Sequence, residues 1–267
     1  MPELPEVETT RRRLERELAG KRFERVVVRA PKLRLPVPED LATVLPGRTV
    51  QAIGRRGKYL LFACDGGTLV IHLGMTGFLQ VLSPAAPADR HDHLDFYFGG
   101  GPLLRFRDPR KFGTVFWTDA DPLAHPLLAE IGPEPLTPAF DGPYLFAESR
   151  GRSVAIKLFI MNSRIVAGVG NIYANEALFR AGIRPDRPAS TLDPGECGLL
   201  AAGIREVLAE SIDIGSTYRV AEDTVAYHPL DFSVYGQGGT GCRRCATILE
   251  ELRLGNRSTV FCPRCQQ

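Results

Sequence analysis

The sequence from Lys58 to Leu73, KYLLFACDGGTLVIHL, decides the fold of the first half of the chain. Two short runs rich in Leu, Val, Ile and Phe are separated by the turn cluster Asp65-Gly66-Gly67, which predicts two consecutive strands. Six further runs of the same kind surround them. The predicted strands are 22–30, 48–55, 58–64, 67–73, 78–82, 93–98, 103–107 and 114–118. Eight short strands after one helix predict a β-sandwich.

Helical patterns lie on both sides of these strands. Val7, Leu14 and Leu18 form a narrow apolar stripe in an Arg- and Glu-rich segment, which predicts a helix that ends at Gly20 and lies at the edge of the sandwich. Residues 119–143 contain six prolines and little periodicity, which indicates a linker. After the linker, Asp193-Pro194 begins an apolar run at helical spacing, which predicts a long helix ending near Gly215.

Two closely spaced pairs of cysteines lie near the end of the chain. They are Cys242-Arg-Arg-Cys245 and Cys262-Pro-Arg-Cys265, separated by sixteen residues. Four thiolates meet the tetrahedral demand of one structural zinc ion and leave no open position, whereas the alternative is a pair of disulfides. Between the pairs, 248–254 and 258–261 alternate as strands and predict a hairpin with Arg257 near its tip. A tip arginine can reach a phosphate, although an ordinary solvated turn has the same pattern.

Composition allows a nucleic-acid partner without establishing one. The chain has 28 Arg and 5 Lys, and guanidinium is the better bidentate partner for phosphates and guanine edges, but the formal net charge is only +2. No apolar run is long enough for a membrane span, and the acidic amino terminus differs from a signal peptide, so we expect a cytoplasmic protein. Cys64 and Cys197 stand in apolar surroundings and are expected to be buried thiols.

The opening residues, Met1-Pro2-Glu3-Leu4-Pro5-Glu6-Val7-Glu8, carry a second chemical signal. If Met1 is removed, Pro2 has a free secondary amine, which can attack a sugar aldehyde carbon and form an iminium. A terminal amine is partly unprotonated near neutral pH, unlike an ordinary lysine. Glu3 would then be placed to transfer protons. The same residues also suit a plain helix start, so both interpretations stay open here.

Two further motifs suit nucleic acid but also have ordinary structural explanations. Two glycines before Asn171 predict a tight double turn that leads into a helix amino terminus, where backbone amides favour an anion; Asn171 could equally be a simple helix cap. Met75 and Phe112, with Arg110 nearby, could fill the gap that a flipped base leaves in DNA. Each of these side chains could also be core or surface filler.

Together these motifs resemble the formamidopyrimidine-DNA glycosylase family over essentially the whole chain. The matching segments, in order, are Pro2-Glu3, Arg56-Gly-Lys58, His72-Leu-Gly-Met75-Thr-Gly, His91-Asp-His93, Asp108-Pro-Arg110-Lys-Phe112-Gly, Gly168-Val-Gly-Asn171-Ile-Tyr-Ala and the zinc hairpin with Arg257-Ser-Thr. The resemblance implies an α+β multidomain protein. Its expected parts are a catalytic β-sandwich with a flanking helix at 1–118, a linker at 119–143, a helix-two-turn-helix DNA-binding domain at 144–231 and a zinc finger at 232–267.

The resemblance also assigns roles to individual residues. Pro2 would be the Schiff-base nucleophile at C1′, Glu3 the general acid and base, and Lys58 the group that assists β-elimination. Arg257 would assist δ-elimination and hold the phosphate beside the lesion. The implied DNA contacts are His72, Met75, His91, Arg110, Phe112, Arg152, Lys157 and Asn171. The residues assigned to lesion recognition are Glu6, Ser216, Thr217 and Arg219. The implied zinc ligands are Cys242, Cys245, Cys262 and Cys265.

The implied function is excision of 8-oxoguanine and formamidopyrimidines from duplex DNA, followed by cleavage of the strand on both sides of the emptied sugar. The expected protein is a nucleoid-associated monomer with one structural zinc and no membrane partner. One alternative is an endonuclease VIII-like enzyme for oxidised pyrimidines, which Leu4 and Val7 disfavour. Another is a non-catalytic binder of damaged DNA, which the joint presence of Pro2, Glu3 and Lys58 disfavours.

The chain departs from the family pattern at three places. Arg110-Lys111 stands where the family usually has two arginines, and Asn162-Ser163 replaces the usual Asp-Gln or Asp-Asn pair. The segment between Gly215 and the zinc hairpin is shorter than usual and lacks an Asp-Gly turn. A shorter segment offers fewer backbone amides to a flipped base. We therefore expect intact abasic-site cleavage but a weaker preference for 8-oxoguanine over formamidopyrimidines.

Overall fold

The computed structural model describes residues 2–215, 218–221, 224–227 and 232–267, with the backbone alone for 218–221 and 224–227. The chain forms two compact units. The first comprises Met1–Pro2, Glu6–Ala129 and Tyr218–Tyr227, and the second comprises Glu3–Pro5, Glu130–Thr217 and His228–Gln267. The boundary after Ala129 lies inside the segment 119–143 that the prolines mark as a linker. Leu128 is buried in the first unit and Phe140 in the second, so this segment contributes apolar side chains to the units as well as a connection.

The helices and strands follow the predicted order. The α-helices are α1 (Leu4–Leu18), α2 (Leu41–Val44), α3 (Gly142–Ser149), α4 (Ile156–Ile160), α5 (Asn171–Ala181) and α6 (Pro194–Asp213), with short 3-10 turns at Pro122–Ala124 and Ala189–Thr191. The strands are β1 (Phe23–Val28), β2 (Val50–Arg56), β3 (Tyr59–Cys64), β4 (Gly67–His72), β5 (Phe78–Leu82), β6 (Asp92–Phe98), β7 (Leu103–Arg107), β8 (Thr114–Thr118), β9 (Tyr218–Ala221), β10 (Thr224–Tyr227), β11 (Glu250–Leu254) and β12 (Arg257–Phe261).

The first unit is the predicted β-sandwich. Its two four-stranded sheets have the orders β1-β6-β7-β5 and β2-β3-β4-β8, and the pairs are antiparallel. All eight predicted strands are present, with ends shifted by at most two residues, which is the usual uncertainty of such boundaries. In β3, Leu60 and Phe62 alternate with more exposed neighbours and are fully buried in the core. Val7, Leu14 and Leu18 of α1 complete that core, which confirms the flanking helix.

The second unit is built from helices and the zinc hairpin. The predicted long helix is α6, and its amino terminus carries a capping box in which Asp193 accepts from the Glu196 amide and Glu196 accepts from the Asp193 amide. In the hairpin, β11 and β12 pair with Leu254 opposite Arg257. Gly255 and Asn256 both have positive φ, 53° and 60°, as a two-residue turn between antiparallel strands requires. Arg257 is therefore the first residue of β12, beside the tip, as predicted.

The segment assigned to lesion recognition contains a two-stranded antiparallel ribbon, β9 with β10. Ser216 and Thr217 lie outside the described residues, and so does the side chain of Arg219. The expectation about this segment therefore stays a prediction. In the part of the chain that the structure covers, no helix combines the length and apolar character needed to span a membrane.

Candidate active site

The Glu3 carboxylate occupies the amino terminus of helix α5. It is almost fully buried and accepts hydrogen bonds from three backbone amides, those of Gly170 at 2.8 Å, Ile172 at 2.9 Å and Tyr173 at 3.3 Å. These are amides that a helix leaves without an internal partner. The anion site that the glycine motif predicts is thus filled by a carboxylate from the other end of the sequence. This arrangement also corrects the simple capping interpretation of Asn171, because the N-cap is Gly170 and it makes no side-chain capping bond.

The two glycines of this turn allow the close approach. A Cβ added to Gly170 would lie 2.4 Å from the Glu3 side-chain carboxyl carbon, and one added to Gly168 would lie 2.5 Å from Leu4 Cβ. Gly168 also has a φ of +82°, which side-chain-bearing residues rarely adopt. The Leu4 amide donates to the Gly168 carbonyl at 3.0 Å. The double turn therefore fixes both the position and the hydrogen bonding of residues 3 and 4.

A buried lysine and Asn171 hold strand β12, which begins at Arg257. Lys157 of α4 is fully buried, and its Nζ donates to the Ser258 carbonyl at 2.8 Å and to Thr259 Oγ1 at 2.7 Å. Asn171 Nδ2 donates to the same Ser258 carbonyl at 3.1 Å. Burial lowers the pKa of Lys157 to about 8; the Glu3 charge partly opposes this shift, and the Arg257 charge adds to it. The resemblance implies that Lys157 contacts DNA, whereas in the structure its Nζ hydrogen bonds go to β12.

Glu176 anchors the chain that leads into the zinc hairpin. Its two carboxylate oxygens accept from the backbone amides of Ser233, Val234 and Tyr235 at 2.8 to 2.9 Å. Tyr235 lies near Glu3, Asn171 and Arg257, and burial together with the Glu3 charge raises the pKa of its phenol. Sequence reasoning missed Glu176 and Tyr235. The available signal was an acidic residue within the apolar pattern of α5, which requires a buried partner.

In the first unit, His72 has a defined tautomer. It ends strand β4 and packs against the Tyr59 ring, with the two ring centres 4.6 Å apart and the rings tilted by 44°, and its Nδ1 accepts from the Gly74 amide at 3.1 Å. That bond leaves the ring proton on Nε2. Burial first, and then the charges of Lys58 and Arg34, lower the pKa of His72 to about 4. At neutral pH the ring is thus an uncharged Nε2–H donor.

The three side chains that would fill the space left by a flipped base come from two turns, 73–77 and 108–113, which touch each other and which we call the wedge turns. We call Met75, Arg110 and Phe112 the wedge residues. The Arg110 guanidinium carbon lies 4.6 Å from the centre of the Phe112 ring, and Phe112 is 39% exposed. A Cβ added to Gly74 would lie 2.4 Å from the Phe112 carbonyl carbon, so the two turns are in direct backbone contact. The structure therefore places the wedge residues on one end of the sandwich.

The remaining assigned residues are more scattered. His91 is half-buried, and its Nε2 accepts from Arg90 Nε at 3.0 Å. Arg152 is exposed in the turn after α3. Glu6 is fully buried in α1, in the first unit, and is not a surface group. Lys58 directly precedes β3.

The four cysteines near the carboxyl terminus form a site for one zinc ion. Their sulfur atoms all lie within 4.8 Å of one another, with separations of 3.9 Å for Cys242 and Cys265 and 3.5 Å for Cys245 and Cys262. A tetrahedral zinc with bonds of about 2.3 Å to sulfur places its ligands roughly 3.8 Å apart. Four thiolates complete the coordination, so the zinc is structural. Cys64 and Cys197 are buried elsewhere, and burial raises the pKa of Cys64 to about 12, as expected of unreactive thiols.

Family models match nearly the whole chain. The formamidopyrimidine-DNA glycosylase N-terminal domain matches residues 1–115, the H2TH domain of the same enzymes matches 131–222, and a zinc finger found in FPG and IleRS matches 242–267. Curated relatives with the name formamidopyrimidine-DNA glycosylase include that of Geobacter metallireducens, 70% identical over 100% of both chains, and that of Pelobacter propionicus, 66% identical over 100% of both chains.

Solved structures agree with this assignment. A Lactococcus lactis FPG mutant in complex with Fapy-dG containing DNA is 36% identical, with a TM-score of 0.92 and 100% coverage of both chains. The MutM (FPG) protein from Thermus thermophilus is 38% identical, with a TM-score of 0.88 and coverage of 99% of this chain and 98% of that one. On sequence, fold and zinc centre together, the chain belongs to the formamidopyrimidine-DNA glycosylase family.

Proposed function

We propose that this protein is a DNA glycosylase for oxidised purines which also cleaves the strand at the emptied sugar. Family membership supports the glycosylase activity, and relatives of this fold are found in complexes with damaged DNA. The observation that carries the proposed chemistry concerns Glu3, the residue directly after Pro2. Its carboxylate is buried and is held by three backbone amides. A proton-transfer group fixed beside a terminal secondary amine suits covalent catalysis at a sugar carbon.

In the proposed reaction, the Pro2 nitrogen is the nucleophile after removal of Met1. Its lone pair forms a bond to C1′ as the bond from C1′ to the base breaks, and the base leaves with a proton. The Pro2 nitrogen loses its proton, the bond from C1′ to the ring oxygen breaks, and that oxygen takes up a proton, which leaves an iminium between Pro2 and C1′. Glu3 moves protons to and from the sugar oxygen, because three amides hold its carboxylate in one position. Covalent attachment divides one difficult displacement into easier steps.

Strand cleavage follows from the iminium. Loss of a proton from C2′ expels the 3′ phosphate, and a second elimination expels the 5′ phosphate. We assign assistance of the first step to Lys58 and of the second to Arg257, whose strand is held by Lys157 and Asn171. A cation next to a departing phosphate stabilises the negative charge that develops there.

Duplex DNA is the proposed partner, bound by a monomer. The neutral Nε2–H of His72 can donate to a phosphate without a charge, and the zinc hairpin presents Arg257 as a cation. The wedge residues would enter the duplex where the damaged base leaves it, with Arg110 facing the orphaned base. Its guanidinium has the planar donor geometry that base edges accept.

Borohydride trapping tests the proposal. Wild-type protein, incubated with an abasic-site duplex and borohydride, should form one covalent adduct that maps to the amino-terminal Pro2. A form that retains Met1 should form none, because its Pro2 nitrogen is an amide. Lys58→Ala is the matched control: it should still be trapped but should release less cleaved strand. Complete trapping at a lysine side chain, with Pro2 unmodified, would contradict the assignment of Pro2 as the nucleophile.

A further inference from the structure

Asp108 connects the turns that carry the wedge residues, and the proposed reaction assigns it no part. Its side chain is fully buried. One carboxylate oxygen accepts from Thr76 Oγ1 at 2.6 Å and from the Arg110 amide at 3.3 Å, and the other accepts from the Gly113 amide at 2.8 Å. The Arg110 amide also donates to Thr76 Oγ1 at 3.2 Å. This one carboxylate thus binds Thr76, which follows Met75, and Gly113, which follows Phe112. It also binds the backbone of Arg110 itself.

The backbone of Asp108 reaches a third segment. Its amide donates to the His91 carbonyl at 3.0 Å, and its carbonyl bonds to His93 Nε2 at 2.8 Å. The same carbonyl accepts from the Lys111 amide at 3.1 Å, and Lys111 has a left-handed φ of 55°. A non-glycine residue in that conformation is held there by its surroundings. The loop 108–113 is thus a tight turn whose shape depends on bonds converging on Asp108.

The hydrogen-bond donors around the Asp108 side chain require a carboxylate rather than the side-chain amide of an asparagine. Each of its two oxygens accepts from a backbone N–H group, and an ionised carboxylate offers acceptors only. An asparagine in either orientation would place its NH₂ group against a backbone N–H, that of Gly113 or that of Arg110. Buried donors left without an acceptor carry their full desolvation cost. Replacement by Asn would therefore open one of the two turns while leaving the volume of the side chain unchanged.

We propose that Asp108 is a positioning residue which holds Met75, Arg110 and Phe112 in one arrangement before DNA arrives. This inference rests on the proposed function, because the wedge residues act only if a base is flipped from a duplex. Preorganised wedge residues lose less conformational entropy when they enter the stack. Asp108 would consequently matter for duplex DNA and for the identity of the orphaned base, and would matter little for the chemistry at the sugar.

Asp108→Asn tests the proposal by comparing two substrates. The first is an abasic-site duplex with C or A opposite the site, and the second is the same abasic strand without its complement, where no gap exists to fill. We expect single-turnover cleavage of the duplex to fall about 10- to 100-fold relative to the single strand, the range that corresponds to the loss of one good contact to a base edge. Any difference in rate between C and A opposite the site should shrink, because Arg110 would face that base. Thr76→Val should give a weaker form of the same change, and Thr76→Ser should restore wild-type behaviour.

Asp95→Asn is the matched control for loss of stability. Asp95 is a fully buried carboxylate in β6, and within the described residues its side-chain hydrogen bonds go to Arg105 and Arg29, not to the wedge turns. This variant should lower the midpoint of thermal unfolding while leaving the duplex-to-single-strand ratio and the C-to-A preference at wild-type values. If Asp108→Asn also leaves both ratios unchanged, or reduces both substrates equally, Asp108 has only a folding role. Wild-type protein that fails to cleave either substrate would instead refute the proposed function.

Discussion

At the scale of single residues, Glu3 fixes its own position by bonding to a helix that lies far along the chain. Three amides at the amino terminus of α5, that of the N-cap Gly170 and two of the helix itself, point at its carboxylate, and the positive end of the helix dipole favours the charge. A helix amino terminus that commonly binds an external anion is here occupied by the side chain to which we assign proton transfer in the proposed reaction. Such a carboxylate keeps its orientation without substrate. The absence of a side chain at Gly170 is the condition that permits this approach.

Gly170→Ala should therefore displace the Glu3 carboxylate, because the new Cβ would fall 2.4 Å from its carboxyl carbon. We expect the single-turnover rate on an abasic-site duplex to fall about 100-fold, as for a catalytic group moved by about 1 Å. Gly198→Ala in α6 is the matched control, since nothing lies within 4 Å of its Cβ. That variant should keep full activity and gain about 0.5 to 1 kcal/mol in unfolding free energy. Equal activities for the two variants would contradict the role of the close approach.

At the scale of elements, Lys157 links helix α4 to strand β12, and this link should depend on pH. Its pKa is about 8 in the folded protein, against an ordinary value of 10.5, because burial disfavours the ammonium. Between these two values the unfolded chain holds more protons than the folded one, so unfolding free energy rises with pH. The neighbouring Glu3 charge opposes this lowering of the pKa, and the Arg257 charge adds to it. Below pH 8 the folded protein bears the cost of burying the charge.

Lys157→Met removes the titration and both hydrogen bonds. Near pH 10 and above, the variant should be less stable than wild type by about 1 to 3 kcal/mol, the cost of leaving buried acceptors unmatched. At pH 7 the difference in unfolding free energy should be smaller, because wild type then bears the cost of burying an ammonium and the variant does not. Denaturant unfolding of both proteins at several pH values measures the difference. A deficit that stays constant from pH 7 to pH 10 would mean that Lys157 does not titrate as its burial implies.

At the scale of the whole molecule, the zinc centre belongs to a small core within the second unit. Phe179, Val234, Leu249 and Val260 pack with the zinc-binding cysteines in a cluster of their own. The sandwich core is formed entirely by residues of the first unit. Because a thiolate site contributes directly to the folding of a small domain, loss of zinc should unfold the hairpin and spare the sandwich.

Cys245→Ser should accordingly release zinc and weaken DNA binding by about tenfold or more, comparable with the loss of one charge-assisted contact from Arg257. Zinc content per chain, circular dichroism and a DNA titration at fixed salt measure the three consequences. Cys197→Ser is the control, because Cys197 is buried in α6, away from the metal site. This variant should keep its full zinc content. Full zinc content in Cys245→Ser would refute the four-cysteine site.

The sequence alone determined the sandwich strands, the flanking helix, helix α6, the hairpin and the zinc centre, whereas the short helices α2, α3 and α4 and the ribbon β9–β10 were not predicted. The strands of the sandwich, helix α6 and the hairpin follow from local patterns of apolar residues, turn residues and caps, which act over a few positions. The spacing of the cysteines is equally local. The roles of Pro2, Lys58 and Arg257 came from resemblance and remain predictions for trapping and mutagenesis.

Only the tertiary structure decided which residues meet. It placed Glu3 on the amides of α5, Lys157 on β12, Glu176 on the segment before the hairpin, and Asp108 between the wedge turns. The partners of Glu3 lie 167 to 170 positions away and those of Lys157 101 to 102 positions away. No periodicity connects such positions, because each contact depends on how whole elements pack. A buried polar group must find a partner somewhere in the fold, and the partner's identity is set by packing and not by neighbouring sequence.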